Sequence, residues 1–239
     1  MKTKYTRFLS LILFLLVLSF QACNLDCRNG KGALITEERQ PGSFTGIRLN
    51  LPANLIVEQG PNTSFRIEAQ PNILKLIQTS LKEETLTIES SECIGNNKGI
   101  NIYIQLPAFS KLVVEGSGEI KGKGVITSTQ LGLVINGSGN ISLEANAETF
   151  FCGIKGSGQV KLSGSGKTQY VKIDGSGDFS GADFSTISSD VSVSGSGYAA
   201  VKADSNLKAQ LNGSGEIRYV GNPRIDKDVN GSGEISPLR

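Results

Sequence analysis

The sequence predicts an all-β fold, a parallel β-helix-like solenoid built from coils of about 19 residues. Three observations predict it. The triplet Gly-Ser-Gly recurs at Gly116–Gly118, Gly137–Gly139, Gly156–Gly158, Gly175–Gly177, Gly195–Gly197, Gly213–Gly215 and Gly231–Gly233, at intervals of 18 to 21 residues. A near-constant period of that length marks an array in which each repeat stacks on the last. Two residues before each triplet stands a branched aliphatic: Val114, Ile135, Ile154, Ile173, Val193, Leu211 and Val229. Two residues after each triplet the position is again apolar, from Ile120 and Ile141 through Phe179 to Ile235. Finally, polar residues separate these apolar ones, so the pattern alternates with period two, as in strands with one buried face.

The elements follow in chain order. Residues 1–22 read as an export signal, with Lys2, Lys4 and Arg7 ahead of an apolar run from Phe8 to Phe20. That run is too short to span a bilayer comfortably. It ends in Phe20-Gln21-Ala22-Cys23, which resembles a bacterial lipobox. By that resemblance the chain is cut before Cys23 and Cys23 carries the lipid; Phe20 and Gln21 depart from the strictest pattern. An ordinary signal peptide with a plain thiol is the alternative. Residues 23–43 are expected to form a tether, and the folded domain to run from 44 to 237.

Within the domain, residues 44–110 are the less regular part. Strand-like alternation runs through Thr45–Leu51, Asn54–Glu58 and Ser64–Glu68. Pro71–Glu84 places Ile73, Leu74, Ile77 and Leu81 at helical spacing, which predicts one short amphipathic helix with Pro71 in its first turn. Strands resume at Thr85–Ile88 and Ile100–Ile104, on either side of an exposed, Gly/Asn-rich loop. This part is expected to cap the first open end of the solenoid, because an uncapped end leaves strand edges unpaired.

Residues 111–237 hold the repeating coils. The fourteen triplet glycines are expected at the corners, where glycine tolerates positive φ and close backbone approach. The triplet at Gly164–Gly166 is out of step. It reads as a turn inside one coil, matched by Glu144-Ala145-Asn146 in the coil before and by Ala203-Asp204-Ser205 further on. Lys227 is the one polar residue in an otherwise apolar column that runs through Leu112, Leu133, Cys152, Val171, Val191 and Ala209. After the last coil only Pro237 blunts the edge, which leaves end-to-end association into a homo-oligomer open.

Composition narrows the chemistry. A formal net charge of +2 gives no electrostatic case for nucleic acid. The chain has no His, so the commonest general base and metal ligand are missing. The triplet serines lack a neighbouring base and read as a hydroxyl ladder rather than nucleophiles. No phosphate-loop pattern follows the glycines. Glu115 with Glu119, and Asp174 with Asp178, could suggest calcium, but the flanking column changes from Glu to Asn to Lys to Asp, as a solvated face does. Cys152 falls in an inward column and reads as a small buried hydrophobe. Cys27 and Cys93 lie outside the repeats; an exported chain permits a bridge between them, and two free thiols are the alternative. No catalytic residue, cofactor or metal site is assigned. A glycan-active β-helix enzyme would need converging acidic and basic side chains, and none is apparent.

The combination Phe44-x-x-Ile47, Leu55–Gly60, Leu86–Ile88, Ile102-Tyr103-Ile104-x-Leu106-Pro107 and Leu112-x-x-x-Gly116-Ser117-Gly118 resembles the head GIN domain of putative auto-transporter adhesins. The resemblance runs from Phe44 to about Ile235. It implies a right-handed β-helix-like fold and an exported, outer-membrane lipoprotein with a role in adhesion, and it brings no catalytic residues. With the sequence ending at Arg239, self-secretion through a C-terminal barrel is not expected. The reading is a non-enzymatic, lipid-anchored envelope protein that meets a glycan or protein ligand; a self-associating structural module is the alternative.

Overall fold

The computed structural model describes residues 27–238; Cys23 and the 1–22 leader lie outside them. The chain forms a β-solenoid of about seven turns with coils near 19 residues. Five long strands, β9 (Glu119–Gly137), β10 (Asn140–Gly156), β11 (Gln159–Gly175), β12 (Asp178–Gly195) and β13 (Tyr198–Gly213), each run from one Gly-Ser-Gly to the next. All four successive pairs are parallel. The aliphatic columns read from the sequence are the register itself: Ile135 pairs with Ile154, Ile154 with Ile173, Ile173 with Val193 and Val193 with Leu211. Every member of that run is fully buried.

The corners close by backbone hydrogen bonds between coils. The N–H of Ser157 donates to the Gly137 carbonyl and that of Gln159 to the Gly139 carbonyl, both at 3.0 Å, and the pattern repeats up the rod. The central serines face solvent while the second glycine of each triplet points inward. Two of those hydroxyls, Ser214 and Ser232, meet at 3.1 Å.

Differences in coil length are absorbed away from these corners. Between Lys121 and Val125 β9 advances four residues while β10 advances two, from Ser142 to Glu144. Where β12 faces β13, four steps from Gly181 to Ser185 oppose one step from Val201 to Lys202. These bulges lie near each coil's second bend. There the strand places Glu148 and Thr149 outward in succession, and the inward alternation changes phase. Gly164 sits opposite Ala145 and Gly166 opposite Ala147, so the extra triplet is matched one residue further along than the sequence suggested. Beside the β12 bulge, the buried Gln169 amide donates to the hydroxyls of Ser189 (2.7 Å) and Thr186 (3.2 Å). Thr186 in turn donates to the Lys202 carbonyl at 2.8 Å, which satisfies backbone the bulge had freed.

The N-terminal part is more regular than its sequence suggested, and its order in space differs from its order in the chain. Strands β2 (Gly46–Asn50) and β3 (Asn54–Gln59) form a rung whose corner, Leu51-Pro52-Ala53, stacks on Gly116–Gly118. Outside it lies a second rung, β6 (Thr85–Ser90) and β7 (Asn101–Leu106), which pairs in parallel with β2 and β3. Strand β8 (Lys111–Gly116) then returns past the first rung to pair with β2 and β9. Two antiparallel strands finish this end: β4 (Ser64–Ala69) on β7, and β5 (Ile77–Lys82) on β6.

The helix expected over Pro71–Glu84 is a correction. Only α1 (Pro71–Leu74) is helical, and the remainder is β5 and a hairpin turn. Ile77, Thr79 and Leu81 also alternate, and the open edge of β6 offers hydrogen bonds that a four-turn helix would leave unused. The turn residues Glu83 and Glu84 both have positive φ, 48° and 60°. A two-residue loop of that geometry favours Asn-Gly. Replacing Glu83 by Asn together with Glu84 by Gly is expected to stabilise the protein by roughly 1 kcal/mol. Thermal melting should show a rise of about 2–4 °C.

The stretch expected to be a tether is folded onto the domain from Cys27 onward. Cys27 and Cys93 form a disulfide with an S–S length of 2.01 Å. Arg28 bridges to Ile94, and β1 (Ile35–Glu38) pairs antiparallel with β4. At the opposite end β14 (Glu216–Val220), β15 (Arg224–Gly231) and β16 (Glu234–Pro237) complete the last coil. Every residue of β15 is exposed, Ile225 and Val229 included, and Lys227 stands where earlier coils place an apolar side chain. A charge at that position discourages pairing of the open edge.

Candidate binding surface

The acidic pairs singled out in the sequence do not converge. Glu115 takes an ion pair from Arg48 and a hydrogen bond from Asn136, whereas Glu119 pairs with Lys121 at 2.9 Å on the far side of the corner. Asp174 is opposite Lys155 in register, yet its carboxylate lies 3.5 Å from Lys172 on its own strand. No group of three or more metal-ligating side chains occurs among the described residues. Burial pushes the Cys152 thiol pKa well up, so it stays protonated and inert. The triplet glycines sit at the corners described above.

Two outward surfaces remain. The first is a cleft of ≈ 500 Å³ at the capped end, over β4, β7, β3 and the start of β9. Register brings Arg66 beside Tyr103, and the guanidinium carbon lies 4.4 Å from the ring centroid. One step along, Lys123 pairs with Glu58 at 3.0 Å. Arg39 at the cleft edge is held by the carbonyls of Ile77 (2.8 Å) and Leu74 (3.2 Å). Lys123 and Glu58 are exposed, so their pair is worth no more than about 1 kcal/mol, whereas Arg39 is half-buried and also meets Glu37 at 2.7 Å. The cleft is thus a shallow polar depression with one aromatic wall, suited to holding a ligand and without a nucleophile–base pair.

The second surface is flat. Phe151 on β10 and Tyr170 on β11 are register partners on the outward face, with ring centroids 5.1 Å apart and planes inclined by 10°. The pair lies outside both the inward columns and the polar columns beside the triplets, on which the sequence expectations rest. The signal for this pair was present as two aromatics one coil apart, five residues before their triplets.

The chain matches the family model described as "Putative auto-transporter adhesin, head GIN domain" over residues 43–223. It is similar in fold to the crystal structure of a putative adhesin from Bacteroides fragilis NCTC 9343, with a TM-score of 0.84 and 24% identity over 88% of this chain and 100% of that one. A putative lipid binding protein from Parabacteroides distasonis ATCC 8503 superposes with a TM-score of 0.74 at 22% identity, covering 89% of this chain and 99% of that one. A putative adhesin from Parabacteroides merdae ATCC 43184 gives 0.71 at 17% identity, with the same coverage of 89% and 99%. No curated protein matches the chain.

Proposed function

Because the chain belongs to the family of the putative auto-transporter adhesin head GIN domain, we propose that it is an exported, lipid-anchored adhesion module that binds without catalysing a reaction. The observation that carries this reading is the outer surface of the rod. Several of its charges pair within and between rungs, as Lys123 does with Glu58 and Lys167 with Glu148, on a backbone bonded coil to coil. Such a surface is rigid and presents fixed contacts, which lowers the ordering cost of holding a partner. Among the described residues it offers no serine, threonine or cysteine beside a histidine base, since the chain has no histidine.

The Cys27–Cys93 bridge favours an oxidising compartment outside the cytoplasm. A lipid on Cys23 would then be separated from the folded domain by only the residues leading to Cys27. That span is at most about 14 Å when fully extended. The capped end would therefore face the bilayer and the last coil would point away from it. A lipid-binding role, as the name of one structural neighbour suggests, would have to use the outside of the rod, because stacked side chains such as Ile135, Ile154 and Ile173 fill the interior.

The anchor and the display are tested together. Cys23→Ala should move the protein from the membrane pellet to the soluble fraction, and protease added to whole cells should remove the wild-type domain. Wild-type protein recovered in the soluble fraction would refute the anchor. Unaltered attachment of cells lacking the protein to host glycans, matrix and neighbouring cells would refute adhesion.

A further inference from the structure

We infer that the Phe151–Tyr170 pair is the floor of a binding site for a neutral glycan. This inference rests on the adhesion reading and gives it a ligand class and a place. Both rings keep more than two-fifths of their surface in contact with solvent, 44% for Phe151 and 42% for Tyr170. Aromatic neighbours on adjacent strands attract one another modestly, by about 0.2–1 kcal/mol. That attraction accounts for the ring-to-ring contact and leaves the outer surface of the pair without a partner.

The surroundings keep that surface open. Gly132 occupies the same column one rung before Phe151, and Gly153 occupies the next outward position on Phe151's own strand. A Cβ added to Gly153 would meet nothing within 4 Å. Neither residue raises a side chain beside the rings. Around this bare strip stand hydrogen-bonding groups: Thr149 and Thr168 on one side, Ser192 on the other, each on the same sheet by register.

Charge decides the ligand class. The two ionised residues that flank the rings directly are Lys172, opposite Gly153, and Asp190, opposite Tyr170, and each has a counter-ion, Asp174 at 3.5 Å and Lys208 at 4.0 Å. Lys111, whose stem lies along Gly132, carries no ion pair among the described residues. Against the rings themselves an anionic ligand meets only a lysine that already has a carboxylate, and a cationic ligand only a carboxylate that already has a lysine. What fits is a neutral molecule with one flat apolar face and a hydroxylated rim. A pyranose ring has that form. Its axial C–H groups carry slight positive charge and sit favourably on the negative face of an aromatic ring, while its hydroxyls reach the flanking threonines and serine.

The test uses the purified protein against immobilised neutral oligosaccharides of glucose, mannose, galactose and N-acetylglucosamine. Sulfated and uronate chains, and anionic and zwitterionic lipid vesicles, run in parallel. Binding to at least one neutral chain is expected, with affinity reduced about tenfold or more by Tyr170→Ala, as for loss of an aromatic anchor. Gly153→Gln should weaken binding to a similar degree by covering the platform while leaving both rings in place, and its melting temperature should match the wild type. The inference is overturned if the protein binds no neutral chain, binds only acidic chains or vesicles, or if both variants bind as the wild type does. Whole cells separate the two readings. Attachment lost on deletion but kept in the Phe151→Ala/Tyr170→Ala double variant removes this site and leaves adhesion standing. Attachment indifferent to deletion removes adhesion.

Discussion

Gly156→Ala is expected to destabilise the solenoid by about 2–6 kcal/mol, the sum of a strained backbone conformation and an overpacked corner. Gly156 has a φ of +114°, which an L side chain rarely adopts. Its new Cβ would also lie 2.5 Å from the Gly137 carbonyl oxygen of the preceding coil. Nothing flexible can yield there, because the obstacle is backbone held by the corner hydrogen bonds. Relief requires two coils to part, and in a stacked array that loss spreads to the interfaces on both sides. Gly158→Ala should also destabilise, for a different reason. Its Cβ would meet the Ile135 side chain at 2.5 Å and the Gly139 carbonyl at 2.7 Å, with no positive φ involved. The cost expected there is about 1–3 kcal/mol. Gly153→Ala on the same strand is the control and should change stability by no more than roughly 0.5 kcal/mol. Guanidinium unfolding of the three variants measures the series. Equal midpoints for Gly156→Ala and Gly153→Ala would show that the triplets are not stacked corners.

Removing the disulfide should be the second large effect. A cross-link spanning 66 residues restricts the unfolded chain by about 4 kcal/mol on the chain-entropy account. Cys27→Ser is therefore expected to lower the unfolding free energy by up to about that amount. The loss should begin locally. Residues 27–38 hold the domain through the Arg28–Ile94 bridge, the Gly30 N–H to Asn96 carbonyl bond (2.8 Å) and an exposed strand on β4. Hydrogen exchange should show those amides, and those of 93–99, losing protection before the coils do. Unchanged exchange and an unchanged midpoint would mean that the bridge contributes nothing in solution.

The coils were legible because a parallel stack imposes translational symmetry on the sequence. Ile135, Ile154 and Ile173 occupy one column in space because each is at the same offset from its triplet. The glycines were legible for the same reason, since every corner repeats one steric problem. Residues 44–110 lack that repetition, and there local pattern misled. Ile77 and Leu81 satisfy a helical spacing and a strand spacing equally, and the free edge of β6 decided between them. Cys27 falls in the expected tether because its few neighbours carry no periodic signal, although residues far along the chain fix it in place.

The aromatic platform stood between these cases. Phe151 and Tyr170 share a column as the aliphatics do, but an outward column tolerates almost any residue, so two aromatics in succession carry little weight until their exposure is known. The sequence by itself determined the coil, its period, its inward columns and the chemistry of its corners, because those are set by contacts that recur in every repeat. The tertiary structure alone decided that β6 and β7 lie outside β2 and β3, that Cys27 meets Cys93, and which outward side chains share a face. Each of those depends on a single pairing between distant segments, and a pairing made once leaves no period in the chain.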